Sequence, residues 1–293
     1  TGFVGKHLKK YFEKHTPFNL YFINLRDPID SDILNKVDVI VHLAGKAHDL
    51  KKTSEAEEYY QVNYHLTKDL YNGFLQSHAK KFIFISSVKA AADSVDGILI
   101  ERIVPNPQTH YGKSKLMAEE YIKNQPLPAG KSYYILRPCM IHGPGNKGNL
   151  NLLYKFVKKG IPYPLSGFNN KRSFLTVENL CFIIKEIIDS DCIESGIYNV
   201  SDDDALSTNE IVSILANSLN VKSKLWKVSP SIIKFFAKTG DLLHLPLTSE
   251  RLNKLTESYV ISNQKIKKVI NKELPLTAIE GLKITAYSFS KNL

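Results

Sequence analysis

The chain has 293 residues and a mass of 33.1 kDa, with 43% hydrophobic and 23% charged content, which excludes a disordered or fibrous protein. No stretch approaches the ~18 uninterrupted apolar residues of a membrane span, so the chain reads as a soluble one. Its 39 Lys+Arg against 29 Asp+Glu leave +10, and 13 basic against 5 acidic residues follow position 220; that imbalance admits a nucleic acid, an anionic membrane surface or a polyanionic substrate.

The chain opens at Thr1 in the string TGFVGKHL. Gly2, Phe3, Val4 and Gly5 lead into a basic amphipathic helix predicted over Gly5–His15. Small residues there let a backbone approach a pyrophosphate at a helix N-terminus, although two glycines serve a plain strand-to-helix turn equally well. Strands are predicted over Leu20–Leu25 and Val37–Leu43, the second running into Ala44 and Gly45. A helix is predicted over Ser54–His78, with Tyr59, Val62, Leu66, Leu70 and Phe74 at three- and four-residue steps on one face. Then come a strand over Phe82–Ser86, a helix over Tyr111–Asn124, a strand over Tyr133–Leu136 and, later, one over Ile197–Val200. Strands alternating with helices imply an α/β fold, a doubly wound parallel sheet with crossover helices. After Pro138 a crowd of Gly and Pro from Gly143 to Gly167 marks loops leaving that sheet for a second unit.

Three widely spaced cysteines, Cys139, Cys181 and Cys192, suggest neither a disulfide framework nor a metal site and fit a reducing cytoplasm. The histidines show no ligand spacing, so no metal is expected. Two other features bear on chemistry. Ser86 and Ser87 end a predicted strand, where open α/β sheets bind ligands, though serines there also simply form turns. Tyr111 and Lys115 lie one helical turn apart. An ammonium beside a phenol lowers the phenol's pKa toward working pH and makes it a proton acceptor; the same spacing also occurs on plain solvated helix faces.

Taken in order, TGFVG, VDVIVHLAG at 37–45, Asn63, FIFISS at 82–87, YGKSK at 111–115 and RPCMIHGPG at 137–145 resemble the extended short-chain dehydrogenase/reductase superfamily. PYPL at 162–165, NNKRSFLTVENL at 169–180 and YNVSDD at 198–203 resemble its NAD-dependent epimerase/dehydratase branch, the UDP-glucose or UDP-N-acetylhexosamine 4-epimerases above all. The resemblance implies a Rossmann-type dinucleotide-binding domain over 1–145, with a smaller C-terminal α/β substrate domain over 146–293 and about 173–202 returning to the first sheet. It places the first strand and first fingerprint glycine ahead of Thr1, so the Rossmann unit is expected to be N-terminally truncated.

By the same resemblance Ser87, Tyr111 and Lys115 are the catalytic set. Gly2, Phe3, Val4, Gly5, Arg26, Leu43, Ala44, Gly45, Asn63, Tyr111, Lys115 and Pro138 fall where the cofactor binds. Ser87, Asn149, Arg172 and Arg251 fall on the substrate, the arginines toward its diphosphate. The cofactor is NAD, with NADP open: Arg26 could pair with a 2′-phosphate and Asp27 with ribose hydroxyls, or the two could form a solvated ion pair. The implied partners are a UDP-sugar and a second copy of the chain, joined through the helices at 54–78 and 111–124. The basic C-terminal quarter then suits a diphosphate-sugar, leaves nucleic acid disfavoured and admits weak membrane association.

Departures from the pattern narrow the reaction. Ser87 is followed by Val88-Lys89-Ala90 rather than an acidic pair, which disfavours dehydration, and Ala90-Ala91-Ala92 replaces the usual VYG. About a dozen residues separate the first two predicted strands, too few for a helix, a third strand and a second helix, so one sheet edge is expected to be abbreviated. Three readings remain: a UDP-sugar 4-epimerase, an NADPH-dependent reductase of a UDP-4-keto-6-deoxy-hexosamine, and a catalytically idle dinucleotide-binding scaffold or redox sensor, against which the Tyr111/Lys115 pair argues.

Overall fold

The computed structural model describes residues 2–25, 27–46, 55–146, 148–243 and 247–291. In chain order its elements begin α1 (Phe3–His15), α2 (Ser31–Asn35), β1 (Val39–His42), α3 (Ala56–Tyr60), α4 (Leu66–Gln76), β2 (Lys81–Ile85), β3 (Ile98–Leu99), α5 (His110–Asn124) and β4 (Ser132–Pro138). They continue β5 (Met140–His142), α6 (Asn149–Lys158), β6 (Phe174–Thr176), α7 (Val177–Asp189), β7 (Gly196–Val200) and α8 (Thr208–Ser218). The last are α9 (Pro230–Leu243), α10 (Ser249–Thr256), β8 (Val260–Ile261), α11 (Gln264–Ile270) and α12 (Ala278–Lys291).

Two compact units result. The first comprises Thr1–Cys139, Val177–Ser201 and Ser262–Pro275; the second comprises Met140–Thr176, Asp202–Ile261 and Leu276–Leu293. The boundary thus falls after Cys139 rather than after 145. The segment 262–275 joins the first unit beside 177–201, because α11 packs on α7 and β7.

In the first unit β1, β2, β4 and β7 form a parallel sheet in that order. All five residues of β2 are buried, as suits a central parallel strand covered on both faces. Phe82 and Phe84 pack with Leu70, Tyr71 and Phe74 of α4 and with Ala118 and Ile122 of α5. The apolar face of α7, Leu180, Ile183, Ile184 and Ile187, is also buried, and α1 packs against that helix. Lys131 Nζ donates to the carbonyls of Phe74, Ser77 and Ala79 at 2.9, 2.7 and 2.5 Å, placing a cation at the negative end of α4.

Two sequence expectations are corrected in this unit. Leu20–Leu25 forms no strand: Tyr21 and Phe22 are half exposed, and no described strand lies beside the segment to pair with its backbone, without which an isolated strand does not hold. The helix expected from Ser54 to His78 is described from Ala56 to Gln76 and is interrupted by a π-helical turn at Gln61–His65. That turn adds a residue to the repeat, so after Tyr59 the buried face passes to Asn63 and Thr67 instead of Val62 and Leu66 and rejoins the expected line at Leu70 and Phe74. Ser54 itself lies outside the described residues.

In the second unit β5 and β6 pair in parallel. Leu150 and Tyr154 of α6, Phe174 of β6, Leu215 of α8, Ile233 of α9 and Leu282 of α12 share its core. A capping box between Ser207 and Glu210 starts α8. At Gly281 a Cβ would come within 1.7 Å of the Thr176 side chain, so only glycine lets α12 run this close to β6.

Candidate active site

Ser87, Tyr111 and Lys115 all belong to the first unit, at the C-terminal end of β2 and the start of α5. Ser87 stands two residues past the end of β2 and caps a short 3-10 turn, its Oγ accepting from Lys89 N at 3.2 Å. Helix α5 begins at Thr109, whose Oγ1 accepts from Gly112 N at 3.2 Å. Asp93 fixes that cap: its carboxylate accepts from Gln108 N at 2.6 Å and from the backbone and hydroxyl of Thr109 at 3.2 Å each. Turn and helix touch at Gly112, where a Cβ would stand 2.4 Å from the Lys89 carbonyl and 2.8 Å from Pro107. The close approach brings the two hydroxyls together, and Tyr111 is hydrogen-bonded to Ser87.

The electrostatics differ from the simple pairing expected. Burial raises the Tyr111 phenol above its usual pKa, the Ser87 hydrogen bond works the other way, and the neighbouring Tyr59, edge-on with ring centroids 6.3 Å apart, adds to the rise. Lys115 does not supply the lowering. Its Nζ donates to the Ile85 carbonyl at 2.9 Å and lies 4.7 Å from the centroid of Phe84. Burial brings its pKa down to about 8, and Glu119, one turn further along α5, opposes that fall. Glu119 is in turn gripped by Arg137 and receives the Ser86 hydroxyl at 2.5 Å.

Asn63 is buried on the π-helical turn and joins three parts of the unit. Its Oδ1 accepts from Lys46 N at 2.8 Å, and its Nδ2 donates to Lys46 O at 3.1 Å and to Ser114 Oγ at 3.0 Å. The segment Leu43-Ala44-Gly45 leaves β1 past this cluster. A Cβ on Gly45 would lie 3.0 Å from Lys115 Nζ and 3.1 Å from Asn63 Oδ1. Below it, His42 Nε2 bonds Thr67 Oγ1 at 2.8 Å and its ring stacks on Phe84; burial first, then Lys115, lowers its pKa to about 3, so it is neutral.

Gly2 is the N-cap of α1, with Phe3, Val4 and Gly5 in the first turn. No acidic residue stands in that turn, and a Cβ on Gly2 would meet nothing within 4 Å. An open, positively polarised helix end and an exposed Gly45 backbone beside an ammonium together fit a dinucleotide, the one for its diphosphate and the other for a ribose. Pro138 is buried at the end of β4, in register with Val200. Arg26 lies outside the described residues.

The remaining candidates belong to the second unit. Asn149 is exposed at the start of α6 and Arg251 is exposed in α10. Arg172 has a structural occupation: its guanidinium donates to the Glu257 carbonyl at 3.2 Å and to the Lys254 carbonyl, with the Glu257 carboxylate at 3.8 Å. It thereby holds the C-terminal end of α10.

Sequence reasoning passed over Asp93, Gly112, His42 and Glu119. Glu119 continues the four-residue step from Tyr111 through Lys115 and was findable on that ground; Asp93 acts across 15 to 16 residues and left no local signal.

A sequence family described as NAD dependent epimerase/dehydratase matches residues 1–201. A UDP-glucose 4-epimerase of Vibrio cholerae is 32% identical, over 99% of this chain and 93% of its own. The N-acetyl-alpha-D-glucosaminyl-diphospho-ditrans,octacis-undecaprenol 4-epimerase of Escherichia coli O157:H7 is 28% identical, over 76% of this chain and 71% of its own. Among solved structures, MoeE5 in complex with UDP-glucuronic acid and NAD superposes with a TM-score of 0.75 at 19% identity, covering 100% of this chain and 97% of that one. At that identity the likeness shows the fold.

Proposed function

Since this chain belongs to the NAD-dependent epimerase/dehydratase family of enzymes, we propose that it interconverts UDP-hexoses or UDP-N-acetylhexosamines at C4 through a 4-keto sugar. The observation that carries the reading is the hydrogen-bonded Ser87–Tyr111 pair with buried Lys115 one turn along the same helix. Both relatives are named as 4-epimerases, and they differ in whether the sugar diphosphate ends in a nucleoside or a polyprenol.

Tyr111 Oη takes the proton of the sugar 4-hydroxyl and returns it after the ketone has turned its other face. Ser87 Oγ, already bonded to that phenol, hydrogen-bonds the same sugar oxygen and passes the proton between them. Lys115, whose Nζ donates to the Ile85 carbonyl at the end of β2, would hold a ribose hydroxyl of the cofactor. Bound nicotinamide supplies a reversible hydride acceptor for the C4 carbon. Gly2 to Gly5 and Leu43 to Gly45 are the backbone that would carry that cofactor, with Asn63 holding the second segment in place through the Lys46 backbone. NAD is the expected form.

For the substrate diphosphate the assignment is Arg172, whose bonds to Lys254 and Glu257 use Nε and one terminal nitrogen and leave other N–H groups of the fork for phosphate oxygens. Asn149 and Arg251 are secondary candidates. We further assign a homodimer joined through the helical stretch of α3 and α4 and through α5, and a reducing cytoplasm, in keeping with three free cysteines.

The test is incubation with NAD and UDP-glucose, UDP-galactose, UDP-N-acetylglucosamine or UDP-N-acetylgalactosamine, followed by NMR of the anomeric protons. Appearance of the C4 epimer from at least one pair is the expected result. No epimer from any of them, together with NADPH consumption on a UDP-4-keto-6-deoxy-hexosamine, would replace this reading by the reductase one.

A further inference from the structure

Helix α9 of the second unit has two apolar faces where a surface helix ordinarily has one. Ile233, Ala237 and Gly240 are buried and join it to the core. About a third of a turn away, Ile232, Phe235, Phe236, Leu242 and Leu243 form a second stripe, the phenylalanines three and four residues after Ile232 and each leucine seven residues, two turns, after a phenylalanine, and every one of them is more than half exposed, Phe235 at 67% and Leu242 at 78%. Trp226, 60% exposed, stands in the segment leading to the helix. Lone exposed apolar residues are ordinary, whereas a contiguous aromatic and aliphatic stripe marks a surface that meets something.

Charge says what it meets. Between 222 and 243 there are five lysines, Lys222, Lys224, Lys227, Lys234 and Lys238, and one acidic residue, Asp241. Lys234 and Lys238 flank the stripe on the side away from the core. A second copy seated on this face would bring like charges together. An anionic bilayer takes both features at once: lysines pair with lipid phosphates while Phe, Leu and Trp enter the boundary between headgroups and acyl chains. With 14 residues, α9 is about 21 Å long, and no described helix is long and apolar enough to cross a membrane, so the geometry is that of a helix lying in the interface plane.

We propose that α9 and the segment from Lys222 docks this protein on the surface of an anionic membrane. The inference does not depend on which reaction the first unit performs. Its test is co-sedimentation of the purified protein with large vesicles of phosphatidylcholine alone or with 30% phosphatidylglycerol, at low and high salt. Binding is expected to the anionic vesicles, weakened by salt, and to fall roughly tenfold or more in Phe235→Ser/Phe236→Ser and in Lys234→Glu/Lys238→Glu. Circular dichroism and turnover of a water-soluble UDP-sugar should be unchanged in both. The proposal is overturned if the wild-type protein ignores anionic vesicles or if both variants bind as it does. It is equally overturned if the phenylalanine variant turns a wild-type dimer into a monomer, since a second copy would then be what covers the face.

Discussion

Arg137 clasps Glu119 inside the first unit, with Nε 2.9 Å from one carboxylate oxygen and Nη2 2.5 Å from the other, both side chains 1% exposed. Glu119 is four residues beyond Lys115, and its charge is what opposes the burial that lowers the lysine. Glu119→Gln leaves the guanidinium uncompensated, and breaking a buried pair in this way costs about 3–5 kcal/mol, to be read in denaturant unfolding. The variant should also move the alkaline limb of kcat/KM, which a lysine titrating near pH 8 places there, to lower pH. An unchanged pH profile in a folded variant would show that Glu119 acts on stability alone.

The proton-transfer assignment makes a sharper demand. Tyr111→Phe removes the only group proposed to take the substrate proton while keeping the ring and its contact with Tyr59. Epimerisation is expected to fall by roughly 100- to 10,000-fold with little change in NAD affinity. Ser87→Ala should cost less, since Tyr111 remains. It also removes the bond that holds the phenol's pKa down, so its residual rate should peak at higher pH than that of the wild type. Equal loss in both variants at every pH would argue against this division of labour.

Gly112 shows how a residue with no side chain positions two that have them. The Cβ of an alanine there would stand 2.4 Å from the Lys89 carbonyl, backbone that cannot swing aside. Gly112→Ala is therefore expected to destabilise by about 1–3 kcal/mol and to part Tyr111 from Ser87, lowering kcat more than it raises KM. Thermal unfolding and steady-state kinetics on one preparation check both halves. A destabilised variant with wild-type kcat would mean that the turn and the helix separate without disturbing the hydroxyls.

How much of this was legible in the sequence follows from how local each cause is. The alternation of strands and helices was readable because each element buries an apolar face with its own period, and β2, β4, β7 and α5 fall within one or two residues of the reading. Leu20–Leu25 has strand composition, but a strand exists only beside another. The face of the 54–78 helix was misread past Tyr59 because a π-helical turn leaves no mark in an apolar repeat. In the site, residue types and spacing reached Ser87, Tyr111 and Lys115. They could not show that Lys115 bonds Ile85 or that Asp93 caps α5, because those contacts join segments 15 to 30 residues apart.

Two buried histidines among the described residues, His42 and His142, are expected to weaken the fold in acid. His42 and His142 have folded pKa values of about 3 and about 4 against an ordinary 6.5, both held down by burial. Each is neutral in the native state and takes a proton in the unfolded chain below pH 6.5, so the unfolded state binds more protons and stability falls as pH falls. The contribution is complete above pH 6.5 and declines below it, until about pH 4 for His142 and about pH 3 for His42, with a slope of up to two protons, roughly 2–3 kcal/mol per pH unit where both are engaged. Urea unfolding at pH 7.5, 6 and 5 measures it. His42→Asn, which keeps a polar partner for Thr67 without a titrating ring, should start less stable and lose less on acidification. If the wild type and that variant decline in parallel, carboxylates rather than His42 govern the acid limb.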